Sequence, residues 1–211
     1  MYRPSYFRED RLEVLHALIR AHPFAQLVTV GGQGLEANPL PMLVDPEAST
    51  NGTLRGHLAR ANDQVAALRE GGQALVIFQE PQAYVSPSWY PGKDAPGPGH
   101  GKVVPTWNYV AVHAWGVPRV IDDAAWLRQL IEDLTVAHEQ HRPKPWAVGD
   151  APEDFIGTMV KAIVGIEIPI DRIEGKWKVS QNRSEPDRRG VAEGLRAEGN
   201  EGMAELVAAM R

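Results

Sequence analysis

The sequence predicts a β-rich α+β fold. Short runs of β-branched and aromatic residues recur along 211 residues, and seventeen prolines and twenty glycines punctuate them with turns. A few intervening stretches carry apolar residues at helical spacing instead. This length suits one sizeable domain with a real core, with room for a small appendage.

Met1 to Phe7 reads as an extended arm whose Tyr2, Tyr6 and Phe7 need something to pack on. From Glu9 to His22, Leu12, Leu15, Leu18 and Ile19 have helical spacing. Glu9 and Asp10 suit the first turn, and Pro23 stops the helix. Phe24 to Val30 reads as a strand, Gly31 to Gly34 as a hairpin turn, and Leu35 to Val44 as the return strand. Asn38-Pro39-Leu40-Pro41 interrupts that return. Two prolines cannot donate ladder hydrogen bonds, so an edge or a bulge is expected there.

Thr53 to Leu58 is the next expected strand. Asn62 or Asp63 then caps a short helix to Glu70, with Val65, Ala66 and Leu68 inward. Gln73 to Gln79 is a strongly apolar strand. The chain's aromatic residues then concentrate at Trp89, Tyr90, Trp107, Tyr109 and Trp115. Within the strand around them, Trp107, Tyr109, Ala111, His113 and Trp115 share one face, and Asn108, Val110, Val112 and Ala114 the other. Neither face is plainly polar, which predicts burial on both sides. The Gly/Pro-rich segment from Pro91 to Lys102 reads as a mobile surface loop.

Beyond Val120, Asp122 is expected to cap a helix with Trp126, Leu127, Leu130, Ile131 and Leu134 as its apolar stripe. A second helix starts near Pro152, with Phe155, Ile156, Met159, Val160 and Ile163 inward. Ile166 to Ile170 and Ile173 to Val179 read as strands, and Glu185 to Arg211 as weakly helical.

Composition removes several functions. With no cysteine, disulfides, thiolate metal sites and cysteine nucleophiles are excluded. A net charge of −5 gives no basic field for nucleic acid or an anionic membrane. No apolar run approaches a membrane span, and Met1-Tyr2-Arg3-Pro4 lacks the order of a signal peptide, so a cytoplasmic protein is expected. The seven histidines show no HExxH pair, and no metal site is expected. There is no G-x-S-x-G, G-x-G-x-x-G or P-loop motif.

Gly56-His57-Leu58-Ala59-Arg60-Ala61-Asn62 is the most informative short piece. A strand ends in a histidine, with Arg60 and Asn62 at a helix N-terminus. That combination suits a phosphate, although the spacing serves equally for a surface arginine beside a helix cap. Lys176, Lys178, Arg183, Arg188 and Arg189 form a basic cluster interrupted by Glu174, Glu185 and Asp187, which reads as a charge-mixed surface.

With these residues in place, the sequence resembles the PaiB family of FMN-binding negative transcriptional regulators. Five pieces carry the resemblance: Met1-Tyr2-x-Pro4-x-x-Phe7, His57-Leu58-Ala59-Arg60-Ala61-Asn62, Tyr84-Val85-Ser86-Pro87-Ser88-Trp89-Tyr90, Val104-Pro105-Thr106-Trp107-Asn108-Tyr109, and Lys178-Val179-Ser180-Gln181-Asn182-Arg183. They occur in the family's order. Asp63 departs from the proline common there, and the loop after Tyr90 is longer.

The resemblance implies an FMN-binding split β-barrel with peripheral helices, like that of pyridoxamine-phosphate oxidases and flavin reductases. Those proteins are homodimers with FMN in a cleft between subunits. On this basis residues 1–183 form the FMN-binding domain, with a helical insertion at about 122–164, and residues 184–211 a C-terminal helical tail. His57, Arg60 and Asn62 would hold the FMN phosphate, with Leu58 beside them. Asn38, Leu40 and Pro41 would run along the isoalloxazine. Trp107 and Asn108 would come from the opposing side of the seam, and Lys178 and Gln181 would close the far edge. The implied function is negative regulation, acting on DNA directly or through a partner. The acidic balance and the absence of a recognition helix weigh against direct contact. The alternatives are an FMN-dependent oxidoreductase acting on a small planar substrate and, less favoured, a haem-handling relative with His57 or His113 as axial ligand.

Overall fold

The computed structural model describes residues 1–32, 34–94, 96 and 100–210. In chain order its strands and α-helices are β1 (Arg8–Glu9), α1 (Leu12–Ala21), β2 (Phe24–Gly31), β3 (Gly34–Asp45), β4 (Thr53–Ala59), α2 (Gln64–Glu70), β5 (Ala74–Val85), β6 (Thr106–Gly116), β7 (Arg119–Ile121), α3 (Ala124–Glu139), α4 (Glu153–Lys161), β8 (Ile163–Pro169), β9 (Arg172–Lys178), α5 (Glu185–Ala197) and α6 (Glu201–Ala209). Among the described residues, no helix is long and apolar enough to cross a membrane. Gln33 of the expected hairpin turn, and Ala95 and Gly97 to Gly99 of the expected loop, lie outside the described residues.

The chain divides into two compact units. The larger comprises Leu12–Phe78 and His113–Ile173, and the smaller Met1–Arg11, Gln79–Val112 and Glu174–Arg211.

In the larger unit the strand order is β5-β2-β3-β4-β8-β7, with neighbouring strands antiparallel. Strand alternation makes one face of β2 and β3 the core. Ala25, Leu27 and Thr29 bury there beside Leu40 and Met42. Helix α1 buries Leu15, Leu18 and Ile19, as its spacing predicts. It starts three residues later than expected, because Glu9 lies in β1. There Arg8 and Glu9 pair with Lys176 and Gly175 in the smaller unit, and the Glu9 carboxylate accepts from Arg11.

Other expectations shift by one helical position. Asp123, not Asp122, caps α3, with Oδ1 accepting from the Trp126 N–H at 2.8 Å. In α2 the residue turned inward is Ala67, while Ala66 is exposed. Helix α4 buries only Ile156 and Val160, which pack with Leu127 and Val148. Phe155 and Met159, one step round the helix, are exposed, because a single-partner helix buries a narrow stripe. Strand β8 begins at Ile163 and so takes in Gly165, where a Cβ would lie 2.3 Å from the Trp126 ring. In β6, Asn108, Val110, Val112 and Ala114 form a buried face. On the other face Ala111 is buried and Tyr109, His113 and Trp115 are half-buried, while Trp107 is 57% exposed, so the second face is covered except at its start.

In the smaller unit the order is β1-β9-β6-β5. Helices α5 and α6 bury Val191, Leu195, Met203 and Val207. Gly190 and Gly194 let α5 lie directly on Trp89. Phe7 is buried, whereas Tyr2 is exposed.

Gly52 in the loop between β3 and β4 has φ +83°, and a Cβ there would sit 2.9 Å from the buried His16 ring. That ring shares a 2.9 Å hydrogen bond with the Asn51 carbonyl. Gly52→Ala should therefore destabilise the chain by about 1–3 kcal/mol, read as a fall of roughly 2–4 °C in melting temperature per kcal/mol.

Candidate functional site

Asn38 to Pro41 lies within the unbroken strand β3, and its register with β2 runs through both prolines without a bulge. The Met42 N–H donates to the Pro23 carbonyl at 2.9 Å, so even-numbered residues of β3 direct their backbone groups toward β2. Pro39 and Pro41 therefore fall where an N–H would point away from β2. Pairing with β4 begins only at Met42 opposite Gly56. One more step of that register would set Pro41 opposite His57, and proline has no N–H to give. The expected edge is thus real on one side only, since β2 pairs this stretch through Phe24↔Pro41.

Around this edge the side chains sort into two roles. Leu40 and Leu58 are buried in the core, so they offer a ligand only their backbone. Asn38 is half-buried, and its Nδ2 donates to Gln64 Oε1 at 3.0 Å and to Asn62 Oδ1 at 3.5 Å. The Asn62 oxygen also accepts from the Gln64 N–H at 2.9 Å, so Asn62 supplies the cap of α2. Gln64 is buried, and its Nε2 donates to the Leu27 carbonyl and to Thr29 Oγ1. An open cavity of about 490 Å³ has Glu36, Asn38, Asn62 and Gln64 among its walls.

Arg60 is engaged more fully than the sequence indicates. Its Nε donates to the Lys161 carbonyl at 3.0 Å, Nη2 to the Ile163 carbonyl at 2.8 Å, and Nη1 to Asp122 at 2.5 Å. Arg69 takes the other oxygen of Asp122 at 2.6 Å. Hydrogen bonds from Arg69, then from Arg60, hold the Asp122 carboxyl below its usual range. Two guanidinium groups thus share one carboxylate, and Glu36, Asp63 and Glu70 line the same cavity as both. Asp122 and Arg69 were not legible as site residues, because the contact joins segments more than fifty positions apart.

His57 is half-buried on β4, and its Nδ1 is buried without a hydrogen-bond partner among the described residues. Burial holds its pKa below the ordinary 6.5. This orphaned nitrogen, the open β3 edge and the guanidinium groups of Arg60 and Arg69 are groups of the kinds a flavin nucleotide binds.

The other expected residues lie in the smaller unit. Trp107 meets Tyr84 edge-to-face with ring centroids 6.1 Å apart. Asn108 is buried, and its Nδ2 donates to Ser180 Oγ at 2.9 Å. Lys178 Nζ donates to Thr106 Oγ1 at 2.6 Å and to the Trp107 carbonyl. Gln181 ties its own turn, accepting from the Val179 N–H and donating to the Trp177 carbonyl. In the larger unit Asn38 and Asn62 line one cavity and Arg60 and Asn62 another, with His57 on β4 lining neither, and Trp107, Asn108, Lys178 and Gln181 lie in the smaller unit.

These features suit a flavin-binding protein. The chain belongs to the family described as "Putative FMN-binding domain", whose model matches residues 1–172. The expected cofactor, FMN, is the one by which this family is described. Among individual relatives, the chain is 32% identical to the protease synthase and sporulation protein PAI 2 of Bacillus subtilis, over 98% of this chain and 96% of that one. This agrees with the PaiB-type resemblance. It is 36% identical to an uncharacterized protein of Emericella nidulans, over 92% and 90% of the two chains. Two solved structures resemble it: the FAD and haem binding protein from Mycobacterium smegmatis (TM-score 0.58, 18% identity, 81% of this chain and 73% of that one) and a flavocytochrome from Azotobacter vinelandii (TM-score 0.58, 14% identity, 88% and 73%). At such identity they speak for the fold alone, a β-rich α+β split β-barrel.

Two outcomes are expected. Gln64→Leu should cost about 1–3 kcal/mol, because it strands buried partners, and chemical denaturation reads this. The unfolded chain protonates His57 more readily than the folded one. Its contribution to stability is complete above pH 6.5 and declines as pH falls from there toward the depressed folded value. In His57→Gln, the stability difference between about pH 7.5 and about pH 5.5 should shrink.

Proposed function

We propose that this chain binds FMN as a homodimer and serves as a flavin-dependent negative regulator that works through a partner rather than through a DNA-reading helix. The observation that carries the flavin reading is the open edge of Asn38–Pro41 beside the unpartnered Nδ1 of His57. The edge presents carbonyl acceptors at Pro39 and Pro41, which suit the imide N–H of an isoalloxazine. Asn38 and Asn62 are held rigid by Gln64. Arg60 and Arg69, sharing Asp122, supply guanidinium donors for a phosphate. FMN when bound supplies redox chemistry; the chain's residues position it and exclude water.

Homodimerisation is supported by the outward face of β2 and β3. Phe24, Val30 and Leu35 are each more than 60% exposed there, next to Val28, Pro39 and Pro41. Leu75 and Ile77 of β5 continue this apolar face. A contiguous apolar patch of this kind marks an association surface.

The regulatory reading draws on the name of the Bacillus subtilis relative and on the acidic charge, which disfavours direct DNA contact. The exposed Trp107 indole favours the alternative, an oxidoreductase that stacks a small planar substrate.

Titration of FMN, followed by flavin fluorescence, tests the central claim. The wild type should bind, and Arg60→Ala should bind FMN about ten- to a hundredfold more weakly while keeping its riboflavin affinity. A wild type that leaves flavin fluorescence unchanged would refute the flavin reading. Val30→Asp with Leu35→Asp should shift the sedimentation velocity of a dimer to that of a monomer.

A further inference from the structure

A separate pocket in the smaller unit has a different chemistry. It is a cavity of about 250 Å³ whose walls include Tyr90, Thr106, Asn108, Lys178, Ser180 and Arg183. No carboxylate lines it, whereas Glu36 and Asp63 line the cavity beside Asn38. Neither Lys178 nor Arg183 forms an ion pair among the described residues. Lys178 spends two protons on Thr106 and the Trp107 carbonyl, which are neutral acceptors. Arg183 lies over the Tyr90 ring with its guanidinium carbon 4.7 Å from the centroid.

The pocket is also rigidly built. Ser180 holds φ +64°, a costly conformation for a residue other than glycine, and its buried hydroxyl accepts from Asn108. The Tyr90 hydroxyl is fully buried with no hydrogen-bond partner among the described residues. Two cations face neutral dipoles, next to a Tyr90 hydroxyl on which Arg183 and, from outside the cavity lining, Asp187 act electrostatically. Burial, then the nearby charges of Lys176 and Arg183, push the Lys178 ammonium below its usual pKa. A bound anion would relieve this repulsion.

We propose that this pocket is an oxyanion site, in which Lys178 and Arg183 grip a small phosphate or carboxylate and the Tyr90 hydroxyl donates to it. The oxyanion is either the phosphate of FMN or a separate small anionic substrate or effector. The inference shares Lys178 and Asn108 with the flavin reading and rests on it only for which of these sources applies.

The experiment is calorimetric titration of wild type, Lys178→Met, Arg183→Gln and the charge-preserving Lys178→Arg, with FMN, riboflavin and inorganic phosphate as probes. Melting temperatures confirm that each variant folds, and Arg183, being half-exposed, is the more tolerant position. If the oxyanion is the FMN phosphate, Lys178→Met and Arg183→Gln should each weaken FMN about ten- to a hundredfold, and Arg183→Gln should leave riboflavin unchanged. If it is a separate anion, Arg183→Gln should bind FMN as the wild type does, while inorganic phosphate binds the wild type and is weakened by the same factor in both variants. Lys178→Arg should retain most of the affinity in either case. Equal FMN and equal phosphate binding across the wild type and the charge-removing variants would overturn the proposal. Failure of the wild type to bind FMN, with phosphate binding still dependent on Lys178 and Arg183, would overturn the flavin reading and leave this site standing.

Discussion

Two absent N–H groups, at Pro39 and Pro41, shape the larger unit. Strand β3 can pair with β2 through these residues, because the prolines fall at positions that face away from that ladder. It cannot pair with β4 until Met42. The same strand therefore belongs to one ladder in its first half and to another in its second. The gap left between β3 and β4 lies where His57 ends up half-buried with an unpaired nitrogen. A continuous ladder there would satisfy the backbone and leave no edge for a ligand.

Gln64 secures that gap. Its side chain takes the carbonyl of Leu27 and the hydroxyl of Thr29 from β2, and accepts from Asn38 of β3. The hairpin and the start of α2 are thereby one hydrogen-bonded assembly. Buried amide networks of this kind are rigid when every member is satisfied, and here the irregular backbone is held from the core side.

Charge is arranged differently in the two units. In the larger, Arg60 and Arg69 converge on Asp122, so positive charge is tied down and partly neutralised at the surface. In the smaller, Lys178 and Arg183 have only neutral acceptors and an aromatic ring. A surface ion pair contributes little to stability and rearranges readily. Unpaired, partly buried cations have no such release except an anion. The sequence shows Lys178 and Arg183 in a charge-mixed cluster and Arg60 beside a helix start, and the pairing of Asp122 with Arg60 and Arg69 comes only from the structure.

The sequence by itself determined the alternation that makes the strands, the apolar stripe of α1, the one open side of β3 at Pro39 and Pro41 and the motifs that place the chain in its family. These are local properties, written at spacings of two to four residues. Only the tertiary structure decided which acid meets which base. Asp122 was legible as a helix cap and instead bridges two arginines, while its neighbour Asp123 caps α3. Phe155 and Met159 carry helical spacing yet stay exposed, because the stripe a helix buries depends on the partner it meets. Trp107 stands at 57% exposure at the start of a strand face that buries Ala111 further along, since cover on that face depends on which segments reach it. Local propensity sets the element, and contacts between distant segments set the site.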